Sequence, residues 1–399
     1  MLFLDWVRIG AFALLVLYHV GMYYVRWDWH VKSPFASSAL EPFMRLSSPW
    51  RMSLLFIVSG AATATMLAAA QRANFMRRRS ARLLLPLAAG VLLIVPPQPY
   101  FEVVHKLQYS GSYLDFLGLY FSAYGGFCRA NDCLMLPTWN HLWFLPYLWF
   151  YTLLLWLLLK RWPTLLTDGA QALSHALRGW RMLLWPVLWL ALLRMTLLSR
   201  FGSTHALVDD WFNHATYLSM FLLGACFAQQ RALFDRLVPL RWLALALALA
   251  AWGLLTLYYQ QTANGPVDEL LRQAQRALWA GMQWTALVAV LGFARRHLER
   301  DHRWRAPLVE AVFPVYVLHQ TLIVCAAMAL RPLGWRPLFE GPLLVMITFS
   351  LALGLWALAR RTALLRPWLG MAAKPRKVAA HPVASPVKQQ PPVGGPTPS

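Results

Sequence analysis

The sequence predicts an all-α fold: a polytopic transmembrane bundle of about ten helices, with both ends of the chain on the cytoplasmic side. Three observations carry this. Of the 399 residues, 59% are hydrophobic and only 13% charged, about half the charged share of an ordinary soluble domain. The apolar residues fall in runs near the ~20 residues that cross a bilayer as a helix. Lys and Arg gather in alternate gaps between those runs, 23 in the gaps assigned to the cytoplasm against 11 in the others, which is the bias that orients membrane helices. The net charge of +21 is therefore a topology signal. Its basic residues are spread through the gaps rather than gathered on one soluble face, so the expected partner is the lipid bilayer and no nucleic acid.

In chain order the spans are expected near 3–24, 51–70, 83–101, 141–159, 182–199, 214–230, 241–259, 275–294, 308–330 and 341–359. The first lacks a basic n-region and a small-residue cleavage site, so it reads as a retained helix and not a cleaved signal. The second and third are separated by Arg72, Arg77, Arg78, Arg79 and Arg82. The fourth ends at Lys160 and Arg161, and Arg178 and Arg181 precede the fifth. Arg231, Arg236 and Arg241 divide the sixth from the seventh, and Arg295 to Arg305 divide the eighth from the ninth. The tenth closes on Arg360 and Arg361. An even count with a basic inner side gives N-in and C-in. No period of 20–50 residues recurs and no inverted repeat is evident. We divide the chain into a transmembrane domain over 1–365 and a Pro-rich cytoplasmic tail over 366–399, the latter too poor in large apolar groups to fold.

Ionisable residues inside the spans are the candidates for chemistry, since each costs ~2.5–3.5 kcal/mol in hydrocarbon and so faces the bundle interior. The first helix carries Asp5, Arg8 and His19. Arg8 and His19 are eleven residues apart, three turns plus roughly 20°, or roughly 16 Å along the axis. The three therefore form one polar stripe. Either residue alone reads equally well as a snorkelling arginine or a packing histidine. Asp5 is one turn from Arg8 and is expected to pair with it. Arg194, within the fifth span, needs a partner, either Asp209 or Asp210 or an anionic acyl group. His319 lies well inside the ninth span as a pore-lining or core residue. His141 opens the fourth span at the outer interface, and Glu102 stands at the outer mouth, each a candidate for acceptor binding. Ser59 reads as helix packing.

The outer loops hold RWDWHVKSP and the aromatic stretch YSGSYLDFLGLYFSAYGGF, which suit either an interfacial aromatic belt or a platform for sugar rings. Cys128 and Cys133 bracket CRANDC; a local disulfide and two free thiols are both open readings. No His or second Cys pair stands nearby at ligand spacing, so no metal site is expected.

Five segments together resemble the membrane acyltransferase 3 family. The first helix has Arg8, ten residues, then His19. Arg51-Met52-Ser53-Leu54-Leu55-Phe56-Ile57-Val58-Ser59-Gly60 is similar to the family's second-helix segment, and Arg78-Arg79-Ser80-Ala81-Arg82-Leu83-Leu84-Leu85-Pro86 to its basic entry to the third helix. His141-Leu142-Trp143-Phe144 and Tyr316-Val317-Leu318-His319 are similar to its two later histidine segments. The loop segments VPPQPYFE and WDWHVKSP further resemble the glucans biosynthesis protein C branch, membrane succinyltransferases of osmoregulated periplasmic glucans. Many family members carry a Glu in the fourth helix where this chain reads WFLPYLWFY.

The resemblance implies an acyltransferase of the bacterial inner membrane. It would use succinyl- or acetyl-coenzyme A as co-substrate, with no permanently bound cofactor, and a periplasmic or cell-surface glycan as acceptor. Arg8, Arg78, Arg79 and Arg82 would hold the donor's phosphates, since guanidinium suits phosphate geometry. His19 would be the catalytic residue, as general base on the acceptor hydroxyl or as a covalent acyl carrier. His141, Arg194, His319 and Glu102 would line the pore or the acceptor site. Two rival classes remain: a transporter or flippase of an amphiphile, which should show paired helix breaks, and a sensor or scaffold, which leaves the intramembrane Arg8, His19, Arg194 and His319 without a purpose.

Overall fold

The computed structural model describes residues 1–372 apart from 70–73, 131 and 264. Its first helix, α1 (Leu2–Tyr24), runs unbroken. Val25 leaves the helix in an extended conformation, which would strand the last carbonyls. Lys32 doubles back from the following loop, and its Nζ donates to the carbonyls of Met22 (2.7 Å) and Val25 (2.9 Å). Burial pushes the Lys32 ammonium down to about 8. A short α2 (Glu41–Ser47) leads into α3 (Arg51–Ala69).

Helix α4 (Phe75–Ala89) passes through a π-turn at Gly90–Ile94 and into α5 (Pro97–Leu107), the pair bent by 42°. Pro96 and Pro97 supply no N–H, so the chain cannot continue straight there. The loosened carbonyls find side-chain donors: Tyr120 Oη to Val91 (2.8 Å) and Thr321 Oγ1 to Ile94 (2.7 Å). Next come α6 (Tyr113–Phe121), held by a capping box between Ser112 and Asp115, and a two-residue hairpin of β1 (Cys128–Arg129) and β2 (Asp132–Cys133). Cys128 and Cys133 form a disulfide.

The remaining helices are α7 (Phe144–Arg161), α8 (Leu165–Ala176), α9 (Arg181–Thr196), α10 (Leu198–Phe201), α11 (Trp211–Gln229) and α12 (Ala232–Asp235), followed by α13 (Leu237–Gln261), α14 (Glu269–His297), α15 (Arg305–Leu330) and α16 (Pro337–Arg361). Among the described residues each of the ten expected spans falls on helix, the third broken at Val95 and Pro96 and the fifth at Leu197. Among the described residues eight helices are long and apolar enough to cross a membrane, nine if the bent α4–α5 pair is one span. The one outside that set is α11, whose first turns carry Asn213, His214, Thr216 and Ser219.

The main core is formed by α1, α3, α7, α11, α13, α14 and α15. Its tightest crossing is α3 on α11. A Cβ at Gly60 would collide with the Phe221 carbonyl, and one at Gly224 with the Ile57 carbonyl. Small residues let backbones meet this closely, and the packing role expected for Ser59 is thus centred on its neighbour Gly60. Val16, Val20, Ile323, Val324 and Leu344 form a second core between α1, α15 and α16.

The start of α1 and the residues after α16 lie at the same end of the bundle. Leu2 N–H donates to Glu299 (3.1 Å), Arg305 pairs with Asp5 (2.5 Å) and Arg82 Nε donates to the Gly370 carbonyl (3.2 Å). An even number of traverses follows. The bundle also extends past the expected boundary at 365. Arg366 is buried and pairs with Glu310 (2.9 Å), and Met371 is 4% exposed, because Glu310 on α15 offers a carboxylate that Arg360 and Arg366 share. The expected tail from 373 lies outside the described residues.

Candidate active site

His19 sits in the last third of α1, one turn after Leu15. Its Nδ1 is 3.0 Å from the Leu15 carbonyl, and a carbonyl can only accept, so in the neutral ring the proton is on Nδ1. His319, fully buried on α15, places its Nδ1 2.7 Å from the Tyr316 carbonyl. That leaves His319 Nε2 as an acceptor, and it lies 3.2 Å from His19 Nδ1. His141 is 7% exposed in the short 3-10 turn before α7. Its Nε2 donates to the Val317 carbonyl (3.1 Å), and its Nδ1 accepts from Gln98 (3.4 Å). Both other histidines thus have their two nitrogens engaged. Among the described residues His19 Nε2 has no partner, which leaves it as the free lone pair of the cluster.

His141 is accordingly not the interfacial residue the sequence suggested. The bend between α4 and α5 brings Gln98 into the bundle, where it is fully buried. Its Oε1 accepts from Asn140 (3.0 Å) and Gln320 (2.9 Å), and its Nε2 donates to Thr321 (2.7 Å) as well as to His141. Gln320 also donates to His30 Nε2 (2.8 Å), and His30 Nδ1 meets Glu102 at 2.5 Å. Glu102 therefore accepts a hydrogen bond from His30 and is the counter-ion of Lys106 (2.8 Å), not a free carboxylate at the mouth. The chain of polar groups from Glu102 to His141 holds His141 in the cavity wall, and nothing in VPPQPYFE, YVLHQ or WDWHVKSP marks Gln98, Gln320 or His30 for that part.

A cavity of about 320 Å³ opens beside His19. Arg51, Arg194, His141, His205 and Trp143 line it, with no Asp or Glu among the lining residues. Arg51 is buried and stacks its guanidinium 3.4 Å from the centre of the Tyr18 ring. Arg194 lies 4.5 Å over the Trp279 ring. Neither has a carboxylate partner among the described residues, and the Nε of each is buried without a hydrogen bond. Asp210, expected as a partner of Arg194, is engaged elsewhere. It accepts from Tyr147 Oη, from Asn213 Nδ2 (2.9 Å) and from the backbone N–H of Thr204 (3.2 Å) and His205 (3.1 Å). Burial raises its pKa, but these donors outweigh it and hold the carboxyl below the usual Asp range. Arg51 was overlooked as a site residue because it opens an apolar run, where a lone arginine reads as an interface anchor.

The aromatic stretch that suits either a belt or a sugar platform lies apart from this cavity. Phe116 and Tyr120 are fully buried and pack with Val103 and Phe127 into a small core of their own. The aromatic faces beside His19 come instead from Tyr18, Trp143 and Tyr217.

At the other end of α1, Arg8 pairs loosely with Asp5 (3.6 Å), because Arg305 holds that carboxylate more closely. Arg79 and Arg82 are near enough to Arg8 for their charges to repel. Arg79 also donates to Thr63 (3.4 Å), whereas Arg78 is exposed. The stripe on α1 thus joins a basic cluster at the N-terminal end to a histidine cavity three turns away.

A family model described as an acyltransferase domain, the acyltransferase 3 family, matches residues 1–361. The chain belongs to this family. It is a multi-pass membrane acyltransferase, an enzyme that transfers acyl groups other than aminoacyl groups. No curated protein and no solved structure matches it significantly. Within this acyltransferase the described residues bring His19, His141 and Arg194 to one cavity with His319 behind His19, group Arg8 with Arg79 and Arg82 at the far end, and set Glu102 apart in an outer ion-pair cluster.

Proposed function

We propose that the protein is an O-acyltransferase of the bacterial inner membrane, N-in and C-in, moving an acyl group from cytoplasmic acyl-coenzyme A to a hydroxyl of a periplasmic or cell-surface glycan, with osmoregulated periplasmic glucan the favoured acceptor. The observation that carries this reading is the free nitrogen of the His19–His141–His319 cluster, His19 Nε2, in a cationic cavity joined by one helix to a basic cluster. Arg8, Arg79 and Arg82, with Arg78 at their edge, hold the donor's phosphates, and the pantetheine arm follows α1 toward His19. His19 Nε2 takes the proton of the acceptor hydroxyl as its oxygen attacks the thioester carbonyl. The C–O bond forms, the C–S bond breaks, and the departing thiolate recovers the proton from His19.

Two arginines with buried Nε atoms and no carboxylate partner among the described residues favour an acyl group that carries its own charge. Succinyl-coenzyme A meets that requirement and acetyl-coenzyme A leaves both guanidiniums unpaired, a costly state for buried charge. Cells lacking the protein, complemented with wild type or His19→Ala, test the reading by mass spectrometry of their glycans. An acyl mass increment that vanishes in the null and returns only with wild type supports it, and the increment names the donor. Glycans unchanged throughout would remove the reading. Unaltered donor KM in Arg8→Ala would remove the phosphate-holding role.

A further inference from the structure

The loop between α10 and α11, Gly202 to Asp210, is held in a costly backbone conformation. His205, Leu207 and Asp209 all have positive φ, at 58°, 67° and 62°. Such a conformation is strained for a non-glycine residue and persists only where its surroundings over-determine it. Here the clamp is Asp210, fully buried, which receives the Thr204 and His205 N–H groups together with Tyr147 and Asn213. Leu207 N–H donates to Tyr147 Oη (3.0 Å), and the His205 carbonyl accepts from Trp139 Nε1 (3.2 Å).

The product of this clamp is the placement of one side chain. The His205 ring lies 4.1 Å from Trp143, on the wall of the cavity that contains His19. Its two ring nitrogens have no hydrogen-bond partner among the described residues, unlike those of His141 and His319. Burial holds this imidazole below the usual His range, with Asp210 opposing. A largely neutral ring offers one N–H and one lone pair, the pair of functions that a sugar hydroxyl satisfies. Ser203 and Asn213, bonded to each other at 2.9 Å, line the same wall. An aromatic face beside a few fixed polar groups is the usual composition of a site for a small polar ring. The loop precedes α11 on the side of the cavity away from the Arg8, Arg79 and Arg82 cluster, so it does not meet the donor's phosphates.

We propose that His205 is the acceptor-binding residue of the cavity, its ring hydrogen-bonding a hydroxyl of the glycosyl unit that reacts at His19, with Trp143 beneath the sugar face. This rests on the acyl-transfer reading given above. The test uses the full-length protein in detergent, labelled succinyl-coenzyme A and acetyl-coenzyme A as donors, and as acceptor the glycan fraction extracted from cells lacking the protein. In His205→Ala the acceptor KM should rise about tenfold or more, the loss of roughly 1.4 kcal/mol of binding, while the donor KM stays within twofold. His205→Gln, which keeps a donor and an acceptor on a planar group, should recover most of the loss. Both variants should keep the wild-type elution profile and melting temperature to within a few degrees. An unchanged acceptor KM in a folded His205→Ala overturns the assignment. So does a matching rise in donor KM, or a His205→Gln no better than Ala. Wild-type protein that transfers neither label to the glycan fraction overturns the acyl-transfer reading itself, a result separable from the others.

Discussion

His319 Nε2 stands 3.2 Å from His19 Nδ1, a contact between helices whose residues are 300 apart in the chain. Because the His319 proton is held by the Tyr316 carbonyl, the contact has one direction: His19 donates and His319 accepts. The same proton of His19 is shared with the Leu15 carbonyl. His319 therefore acts on the tautomer and the aim of His19, in the manner of the group that orients a catalytic histidine. His19→Ala should lower kcat by ~10²–10⁴-fold, the usual worth of a positioned base. His319→Ala should cost less, about tenfold, because Leu15 still fixes the proton; one hydrogen bond of this kind is worth about 1 kcal/mol. Steady-state kinetics on both variants checks the order, and a larger loss in His319→Ala than in His19→Ala would exchange their roles.

On the proposed reading, Arg51 and Arg194, which have no carboxylate partner among the described residues, bind the acyl carboxylate of the donor. Replacing Arg194 by Ala should lower kcat/KM for succinyl-coenzyme A by about tenfold to a hundredfold, as expected for 1.5–3 kcal/mol from a charged hydrogen bond. The same change should leave acetyl-coenzyme A within about threefold. Competition between the two labelled donors reads this directly. An equal loss for both donors would show that the arginines serve the bundle and not the acyl carboxylate.

The crossing of α3 and α11 has no room for a methyl group. Gly60→Ala and Gly224→Ala each set a Cβ against a backbone carbonyl of the opposite helix, and a rigid backbone cannot yield as a side chain would. Each should destabilise the bundle by about 1–3 kcal/mol, seen as a lower melting temperature in detergent. Gly253→Ala, where a Cβ meets nothing within 4 Å, is the control and should melt as wild type.

Asp210 gives a pH signature. Its folded pKa lies below the ordinary Asp value, so its contribution is fully present above pH ~4 and is lost as pH falls through the folded value. Asp210→Asn should therefore melt lower than wild type at pH 7, and the gap should narrow below pH ~4. A gap that is constant from pH 7 to pH 3 would show that the charge itself adds nothing.

The sequence alone determined the helical bundle, the approximate place of its spans and the family. Apolar length and the placing of Lys and Arg are local properties that each helix carries by itself. Arg8 and His19 were legible for the same reason, since one helix sets their common face. What only the tertiary structure decided is which polar groups share a space. Residues 51, 194, 205 and 319 come from three helices and a loop. Nothing in their own segments shows that Asp210 is already engaged, that Glu102 is paired with Lys106 and bonded to His30, or that Gln98 turns inward at a bend. A hydrogen bond consumes a nitrogen or an oxygen only when a partner from a distant part of the chain arrives. The free nitrogen of His19 and the unpaired arginines are thus facts of assembly, not of sequence.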